Sequence, residues 1–388
     1  MLVIPCLIKK QIFMKLNYFP TVLILFSFSL LSCAQEENVP KIETSSKSNY
    51  TYETVIDDID IPWGMDFINE DELLVTEKSG TLYRVKNGVK LAVQGLPDIY
   101  VRGQGGLLDV ALHPDYDENK IIYLTLGAAL EGAPGGNTTL YCAKLNGLQL
   151  ENPKLLYKAT PNTKNGQHWG SRIVFDQEGH VYFTVGDRGN RDVNPQDLTR
   201  DGGKVYRLNL DGSIPEDNPF IDQEDAKTAV YSYGHRNPQG MTVHPKTGVI
   251  WENEHGPRGG DEINIIRKGK NYGWPKITYG INYSGTIITK NTALPNMEQP
   301  EYYWLPSIGP SGMAFSTSGV YEKWKNNLFV GSLKFEYLER LVLKNDKVVK
   351  REKVLDKIGR VRNVKESPDG YLYLGVEGKG IIKLTPSK

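Results

Sequence analysis

The chain has 388 residues, and its 46 Lys and Arg are balanced by 46 Asp and Glu, so the formal net charge is zero. This balance argues against a protein that binds nucleic acid through basic side chains, because phosphate contacts require a surplus of positive charge. With 24% charged and 39% hydrophobic residues, the chain is also too apolar for intrinsic disorder. We therefore expect a folded protein with a substantial core.

The segment 1–32 is predicted to be an export signal rather than part of the fold. Lysines precede an apolar run over 18–31, which is shorter than a membrane span and is followed by a small-residue cleavage region. The run ends in LLSC at 30–33, which resembles a bacterial lipobox. The resemblance implies cleavage before Cys33 and acylation of that cysteine. A plain secretory signal is the alternative, and Met14 is an alternative start of the chain.

Residues 33–49 are predicted to form a flexible tether between the lipid and one domain over 50–388. The tether is polar and has no hydrophobic period. Cys6 falls in the discarded signal, so only Cys33 and Cys142 remain, and Cys142 is expected to be a buried apolar filler. An exported protein without a structural disulfide is typical of bacteria. We expect anchoring to a bacterial membrane, on the periplasmic face or at the cell surface.

A unit of two strands recurs six times in the predicted domain. Each copy has a short apolar strand that is preceded by an Asp, Asn or Gly turn and followed by a partner strand. The first strands are expected over 72–76, 121–126, 180–185, 248–252, 327–331 and 371–376. Their partners are expected over 81–85, 139–145, 204–210, 262–267, 338–343 and 380–384.

The spacing of these units favours an all-β fold, a six-bladed β-propeller of four-stranded antiparallel blades. Successive units begin 44 to 79 residues apart, which fits a four-stranded blade with loops of variable length. A β-sandwich, the alternative, would show shorter and more even spacings without a repeated unit. We expect the segment 50–57 to pair beside the final strand over 381–386 and so to close the ring.

Residue types used in binding and catalysis are concentrated in four segments between the predicted strands. The segments are RGQGG at 102–106, NGQHWGSR at 165–172, GHRNPQG at 234–240 and ENEHGPRGGDEINIIRKGKNYGW at 252–274. In this order they resemble the soluble quinoprotein aldose and glucose/sorbosone dehydrogenases. The resemblance extends over most of the chain, from IPWG at 61–64 to RVR at 360–362. It implies a six-bladed propeller that oxidises the C1 hydroxyl of aldose sugars to lactones, with pyrroloquinoline quinone and calcium as cofactors.

His168 is the candidate general base. It lies in a polar loop between two predicted strands, where a neutral imidazole can accept a proton near neutral pH. Oxidation of a sugar hemiacetal requires removal of the hydroxyl proton while hydride leaves carbon, and the resemblance implies this role for His168, together with a place among the residues that bind the cofactor. Asp187, in GDRG after the next strand, could orient His168. A Gly-Asp turn can also occur for conformational reasons alone.

Five residues are candidates for holding the quinone. Arg236 and Asn237 offer a guanidinium and an amide, which suit an acceptor whose oxygen becomes anionic. The resemblance implies that both bind the cofactor and that Arg236 stabilises the reduced oxygen. It implies further that Lys334, Arg360 and Arg362 contact the carboxylates of the cofactor. From the residues alone, these last three would be interpreted as solvated surface charges.

Two more polar side chains are candidates through the same resemblance. Gln104 lies among glycines that allow close approach of the backbone, and the resemblance implies a position near both sugar and cofactor. Tyr283, in GINYSG, corresponds to an aromatic residue in contact with the quinone. Because the chain has 22 tyrosines, a packing role for Tyr283 is the alternative.

Calcium is implied at two places. Gly256 and Pro257 present backbone carbonyls on a rigid turn, and hard cations take such oxygen ligands. The resemblance implies that these carbonyls hold the calcium that also binds the cofactor. It implies a second, more structural calcium site at Glu262 and the backbone carbonyl of Tyr272. An ion pair with a neighbouring basic residue is the alternative for Glu262.

The sequence also departs from the family and leaves other functions open. The best-known glucose-oxidising branch has a carboxylate directly before the base, whereas this chain has Gln167 and shorter loops. We therefore expect a broad set of aldoses, including the reducing ends of oligosaccharides. A noncatalytic surface propeller that binds sugar or protein is the main alternative, and a calcium hydrolase with a central ring of carboxylates is another.

Other redox cofactors are not indicated. No G-x-G-x-x-G connects a strand to a helix, which argues against a nicotinamide domain, and C-x-x-C-H for a c-type haem does not occur. Electrons are therefore expected to pass to a separate acceptor. The other expected partners are an aldose substrate and the membrane, through the N-terminal lipid; nucleic acid is not one of them. The chain is expected to act as a monomer or homodimer.

Overall fold

A computed structural model describes residues 42–44, 50–130, 132–321 and 323–387, and most of the structured part is β-strand. The predicted signal segment, Cys33 and most of the predicted tether lie outside the described residues. Within the tether, Ile42–Thr44 (β1) forms a short strand that the sequence analysis did not predict. The described part has one four-residue helix, Tyr116–Asn119 (α1), and none of its helices has the length and apolarity of a membrane span.

The described strands form six sheets, which we number as blades. The segment Tyr50–Ile56 is β2, and blade 1 contains β3 (Pro62–Asn69), β4 (Glu72–Glu77), β5 (Thr81–Lys86) and β6 (Val89–Val93). Blade 2 contains β7 (Leu107–Leu112), β8 (Ile121–Leu130), β9 (Ala133–Asn146) and β10 (Gln149–Lys158). Blade 3 contains β11 (Ile173–Phe175), β12 (His180–Val185), β13 (Lys204–Asn209) and β14 (Val230–Tyr233).

The second half of the chain repeats the arrangement. Blade 4 contains β15 (Pro238–Val243), β16 (Ile250–Glu254), β17 (Asp261–Ile265) and β18 (Tyr302–Trp304). Blade 5 contains β19 (Pro310–Phe315), β20 (Leu328–Ser332), β21 (Leu338–Lys344) and β22 (Lys347–Leu355), with β1 paired in parallel to β22. Blade 6 contains β23 (Val361–Glu366), β24 (Leu372–Val376) and β25 (Gly380–Pro386), and β2 is its outer strand.

The blades form a closed ring around a central axis. The first strand of each blade contacts that of an adjacent blade around the ring, and β23 contacts β3. These innermost strands are covered on both sides, which explains why β19 is buried along its whole length whereas the outer strand β10 is largely exposed. The predicted six-bladed propeller of four-stranded antiparallel blades is therefore confirmed.

The ring is closed by the pairing that the sequence analysis predicted. Strand β2 pairs antiparallel with β25, with Tyr50 opposite Pro386 and Ile56 opposite Ile381. Tyr50 also packs against Trp324, with ring centroids 3.9 Å apart. The outer strand of the last blade is thus supplied by the segment that precedes the first blade.

Removal of β2 is expected to destabilise the whole ring. A chain that starts at residue 58 should melt about 10 °C or more below a chain that starts at Tyr50, because it exposes the edge of β25 and the apolar groups under β2. Calorimetric melting of the two chains checks this prediction. Equal melting temperatures would show that β2 does not contribute to closure.

The four polar segments meet at one end of the ring, which we call the mouth. The first three lead into the innermost strands β7, β11 and β15, and the fourth contains the connection between the second and third strands of blade 4. In an antiparallel blade these two positions lie at the same end of the sheet. The rest of the fourth segment, 266–274, follows β17 and returns to this end, where Asn271 pairs with Tyr233 at the end of β14. Side chains that are far apart in the sequence can therefore surround one cavity at the mouth.

Candidate active site

The site is built around a buried His–Asp pair. The Nδ1 of His168 lies 2.6 Å from Oδ1 of Asp187, whose side chain is only 1% exposed. Since a carboxylate accepts hydrogen bonds, Nδ1 carries the proton and Nε2 is the basic nitrogen. The contact predicted between these two residues is therefore present.

The backbone of His168 is held in an unusual conformation. Its φ of 55° lies in the left-handed region, and its N–H donates to Oε1 of Gln104 at 2.8 Å. The next residue, Trp169, is buried and anchors the loop. Gly186 allows the end of β12 to approach this loop, since a Cβ there would lie 2.3 Å from the carbonyl oxygen of His168. The loop of His168 and the end of β12 together place Asp187 beside the imidazole of His168.

Burial and neighbouring charges set the proton affinity of the pair. Burial lowers the pKa of His168, the hydrogen bond that its Nδ1 donates to Asp187 opposes this effect, and the nearby Arg236 lowers the pKa further. The result lies below the ordinary value, so His168 is neutral at neutral pH. Burial raises the pKa of Asp187, but the hydrogen bond with His168 and other donors outweighs it, and the pKa lies below its usual value. Asp187 is therefore ionised.

The pair lines a cavity of about 510 Å³, which we call the mouth cavity. Across its rim, Nη1 of Arg191 donates to Oδ1 of Asn282 at 2.7 Å and so connects loops of blades 3 and 4. The aromatic candidate Tyr283 is 74% exposed on the wall. The lining also includes Gln104, Gln167, His168, Asp187, Gly189, Asp192, Arg236, Pro257 and Trp274.

Arg236 and Asn237 are both fixed by Glu254. The backbone N–H groups of both residues donate to Oε2 of Glu254. Nη1 of Arg236 donates to the carbonyl oxygen of His255 at 2.9 Å, and its buried Nε has no hydrogen-bond partner in the described part of the chain. Asn237 is 1% exposed, and its Oδ1 accepts from the N–H of Gly170. Arg236 thus faces the mouth cavity, whereas Asn237 stabilises the loop of His168 through its hydrogen bond with Gly170.

A second cavity of about 550 Å³, the cation cavity, adjoins the mouth cavity. It is lined by Lys334 and Arg360, two of the residues predicted to bind the carboxylates of the cofactor. Nε of Arg360 donates to Glu377 at 2.6 Å, and Nε of Arg362 donates to the same carboxylate at 3.0 Å. Glu377, which the sequence analysis did not consider, therefore orients both arginines.

The predicted calcium ligands of the cofactor site lie on the same wall. Gly256 and Pro257 line the cation cavity, and the Pro257 carbonyl accepts from the hydroxyl of Ser307 at 3.2 Å. Burial raises the pKa of the adjacent Asp261 to about 6. Backbone carbonyls beside a carboxylate form the hard oxygen donor set that suits calcium.

The second predicted calcium site contains an excess of buried carboxylates. The amide Nδ2 of Asn264 lies 3.2 to 3.4 Å from oxygens of Glu252, Glu254 and Glu262. Burial and the neighbouring Glu254 raise the pKa of Glu262 well above its usual value. Oε1 of Glu252 is buried without a hydrogen-bond partner among the described residues. Glu262 and Tyr272 line the small cavity beside this cluster, so the residues fit a cation.

The opposite end of the axis does not resemble a hydrolytic calcium centre. A cavity of about 310 Å³ lies there between the innermost strands. Of the three carboxylates that line it, Asp109 and Asp66 form ion pairs with Arg172 at 2.8 Å and with Lys365 at 2.9 Å. The third, Glu366, accepts hydrogen bonds from the backbone N–H of Thr317 at 2.7 Å and from its hydroxyl at 2.6 Å. Carboxylates that are neutralised by basic side chains are poor ligands for a catalytic cation, which argues against the hydrolase alternative.

The ring carries a His–Asp pair and a cationic wall at its mouth, and similarity to a known family assigns this propeller to the oxidoreductases. The family model for glucose/sorbosone dehydrogenases matches residues 59–383, and the chain belongs to this family. It is 39% identical to the aldose sugar dehydrogenase YliI of Escherichia coli over 343 residues, which cover 86% of this chain and 92% of that protein.

Solved structures agree with this assignment. The soluble aldose sugar dehydrogenase of Escherichia coli, in its apo form, has a TM-score of 0.82 at 36% identity, covering 87% of this chain and 99% of that one. An aldose sugar dehydrogenase of Streptomyces coelicolor, solved with pyrroloquinoline quinone, has a TM-score of 0.71 at 27% identity, covering 89% and 99%. The fold is therefore shared with relatives that include a quinone-bound form.

Proposed function

We propose that the protein is a dehydrogenase that oxidises the C1 hydroxyl of aldose sugars to lactones, with pyrroloquinoline quinone and calcium as cofactors. The observation that carries the proposal is the His168–Asp187 pair, joined at 2.6 Å, on the wall of the cavity that Arg236 also lines. The aldose sugar dehydrogenase relatives and the quinone-bound neighbour support the same chemistry.

His168 removes the sugar hydroxyl proton in this proposal. Its Nδ1–H is held by Asp187, so Nε2 is available as the acceptor, and the ionised carboxylate stabilises the imidazolium that forms. The left-handed backbone of His168 fixes the ring relative to the cavity. General base catalysis of this kind contributes about 10²- to 10⁴-fold to a rate.

The cationic walls are suited to the quinone. Arg236, with its unpartnered Nε, would hold it from the mouth cavity, and Lys334 and Arg360 would bind its carboxylates from the cation cavity. When bound, pyrroloquinoline quinone would accept hydride, and a separate acceptor would then remove the electrons. Arg236 places a buried positive charge where negative charge develops during oxidation. Orientation of sugar and acceptor in one cavity lowers the entropic cost of the reaction.

Aldose-dependent reduction of a dye tests the proposal directly. Purified chain over 34–388 should reduce the dye only when sugar, pyrroloquinoline quinone and calcium are all present. A panel of monosaccharides and oligosaccharides in the same assay tests the expected breadth of substrates. If no sugar supports reduction and calorimetry detects no binding of the quinone, the surface-binding propeller becomes the better explanation.

Calcium is expected to stabilise the protein through Glu262. Calcium should raise the melting temperature of the wild-type chain, because a cation offsets the repulsion among the buried carboxylates near Asn264. The Glu262→Gln chain should lose much of this calcium-dependent increase. Scanning calorimetry with calcium and with chelator measures both. A full response to calcium in the variant would contradict the assignment of Glu262.

We propose further that the protein is exported and held at a bacterial membrane by lipid on Cys33. The sequence LLSC at 30–33 is the basis of this proposal. Cys33→Ser should move the protein from the membrane fraction to the soluble fraction, whereas Cys142→Ser, the control, should not. Retention of the Cys33→Ser chain in the membrane fraction would refute the anchor.

A further inference from the structure

The indole of Trp274 makes a contact with the His–Asp pair that the mechanism above does not use. Its Nε1 donates to Oδ2 of Asp187 at 2.8 Å. Trp274 is 6% exposed and lines the mouth cavity. The hydrogen bond joins residues 87 positions apart, so two separate loops meet at this carboxylate.

The Asp187 carboxylate accepts hydrogen bonds on both of its oxygens. Oδ1 accepts from Nδ1 of His168 at 2.6 Å and from the N–H of Gly189 at 2.7 Å, and Oδ2 accepts from Trp274. Because the side chain is 1% exposed, water does not compete for these oxygens. Rotation of the carboxylate would leave the indole N–H buried without an acceptor, which is unfavourable. The indole therefore fixes the plane of the carboxylate.

Trp274 is itself held firmly. Its backbone N–H donates to the carbonyl of Gly234 at 2.8 Å, and its carbonyl accepts from Nε2 of Gln196 at 2.9 Å. The guanidinium of Arg236 lies over its ring, 5.4 Å from the centroid. One rigid side chain thus contacts both the partner of the base and the cation next to it.

We propose that Trp274 is a positioning residue, which holds Asp187 in the orientation that keeps the proton of His168 on Nδ1 and leaves Nε2 free. The expected change in kcat rests on the proposed function. The tautomer and the pKa of His168 can be measured without sugar or cofactor, so the two effects can be tested separately.

The charged surroundings of His168 give the direction of the effect. The groups that act on it are the carboxylate of Asp187, the cations Arg236 and Arg188, and the ring of His255, which burial keeps neutral. Among these, Asp187 is the group that raises the pKa of His168. A misoriented carboxylate would raise it less, so the pKa of His168 should fall further when the indole donor is lost.

Histidine NMR on Trp274→Phe tests the proposal. The chain over 34–388 contains all described strands, and its six histidines can be labelled with ¹⁵N and the signal of His168 assigned with His168→Gln. Wild-type chain should show a protonated Nδ1 and an unprotonated Nε2 on His168. Trp274→Phe should give a mixture of tautomers and a lower pKa, and kcat should fall roughly tenfold with the sugar KM little changed.

Trp304→Phe is the matched control. Nε1 of Trp304 also donates to a buried carboxylate, Oε2 of Glu339, at 2.8 Å, and this pair lies away from the mouth cavity. Its loss should leave the tautomer and the pKa of His168 unchanged. A second measurement does not depend on how Trp274→Phe folds: in Asp187→Asn, the indole N–H signal of Trp274 should shift and that of Trp304 should not.

Either NMR result can overturn the proposal. A His168 in Trp274→Phe that keeps the wild-type tautomer, or whose pKa rises, would show that the indole does not position Asp187. An unmoved Trp274 signal in Asp187→Asn would show that the hydrogen bond is absent. If the NMR changes occur but wild-type chain oxidises no sugar, the positioning role stands and the proposed function fails.

Discussion

Replacement of His168 by alanine should lower kcat/KM for aldose oxidation about 10²- to 10⁴-fold, the contribution expected of a general base. The cause is the loss of Nε2, the basic nitrogen of the pair with Asp187. Affinity for pyrroloquinoline quinone should change little, because Arg236, Lys334 and Arg360 remain. Steady-state dye reduction and calorimetric titration of the quinone measure the two effects.

His180→Ala is the control for this prediction. Nδ1 of His180 lies 2.8 Å from Oδ2 of Asp176, so the same kind of pair is removed at the start of β12, outside the mouth cavity. Its activity should match the wild type. Equal activity of His168→Ala and wild type would exclude His168 as the base.

In the wild type, activity should fall only at a pH below the ordinary pKa of histidine, because burial lowers the pKa of His168 and the neutral form persists to lower pH. Dye reduction measured across a range of pH checks this prediction.

Replacement of Arg236 by methionine should lower kcat about 10²- to 10³-fold, the loss expected when a preorganised electrostatic stabiliser is removed. Arg236 is 6% exposed, so its charge acts in surroundings with little screening by water. Binding of the quinone should weaken as well. Arg236→Lys should recover part of the rate, because it restores the charge without the planar guanidinium. Dye reduction under saturating sugar and quinone measures these rates.

Arg267→Met separates this effect from a general loss of positive charge. Arg267 lies at the outer part of blade 4 and forms ion pairs with Glu298 and Glu301. Its replacement should leave kcat near the wild-type value. A wild-type kcat in Arg236→Met under the same conditions would show that the buried cation has no part in oxidation.

Hydrophobic patterning predicted the strands well where turn residues mark their ends. The segment 180–185 was predicted with the bounds of β12, since turns containing Gly179 and Gly186 flank it. The hairpin β8–β9 is longer than the strands predicted over 121–126 and 139–145, because residues 127–130 extend β8 and residues 133–137 extend β9 in spite of their Gly and Pro content. Gly136 also forms a bridge with Thr163, in the loop before β11.

The contact between His168 and Asp187 could be predicted because both residues lie in loops of one blade. His168 precedes β11 and Asp187 follows β12, so antiparallel pairing brings them together. Trp274 was not predicted because its role depends on a contact between different blades: it reaches Asp187 of blade 3 from the connection after β17 in blade 4. Glu377 lies in the same blade as Arg360 and Arg362, which it holds, but no motif in the sequence marks it. Periodicity reports which face of a strand is buried, but it does not report which loops meet. The strand β1 was missed because its pairing depends on the free edge of β22.

The pairing of β2 with β25 also affects the order in which the molecule can form during synthesis. Tyr50–Ile56 emerges from the ribosome before any blade, but its partner Gly380–Pro386 is made last. A nascent chain with five complete blades therefore still has β2 without its partner strand and leaves the apolar faces of blades 5 and 1 uncovered. An unpaired strand and exposed apolar surface both favour aggregation. Productive folding is coupled to completion of translation, so a ribosome that stalls within the last blade would release an aggregation-prone product.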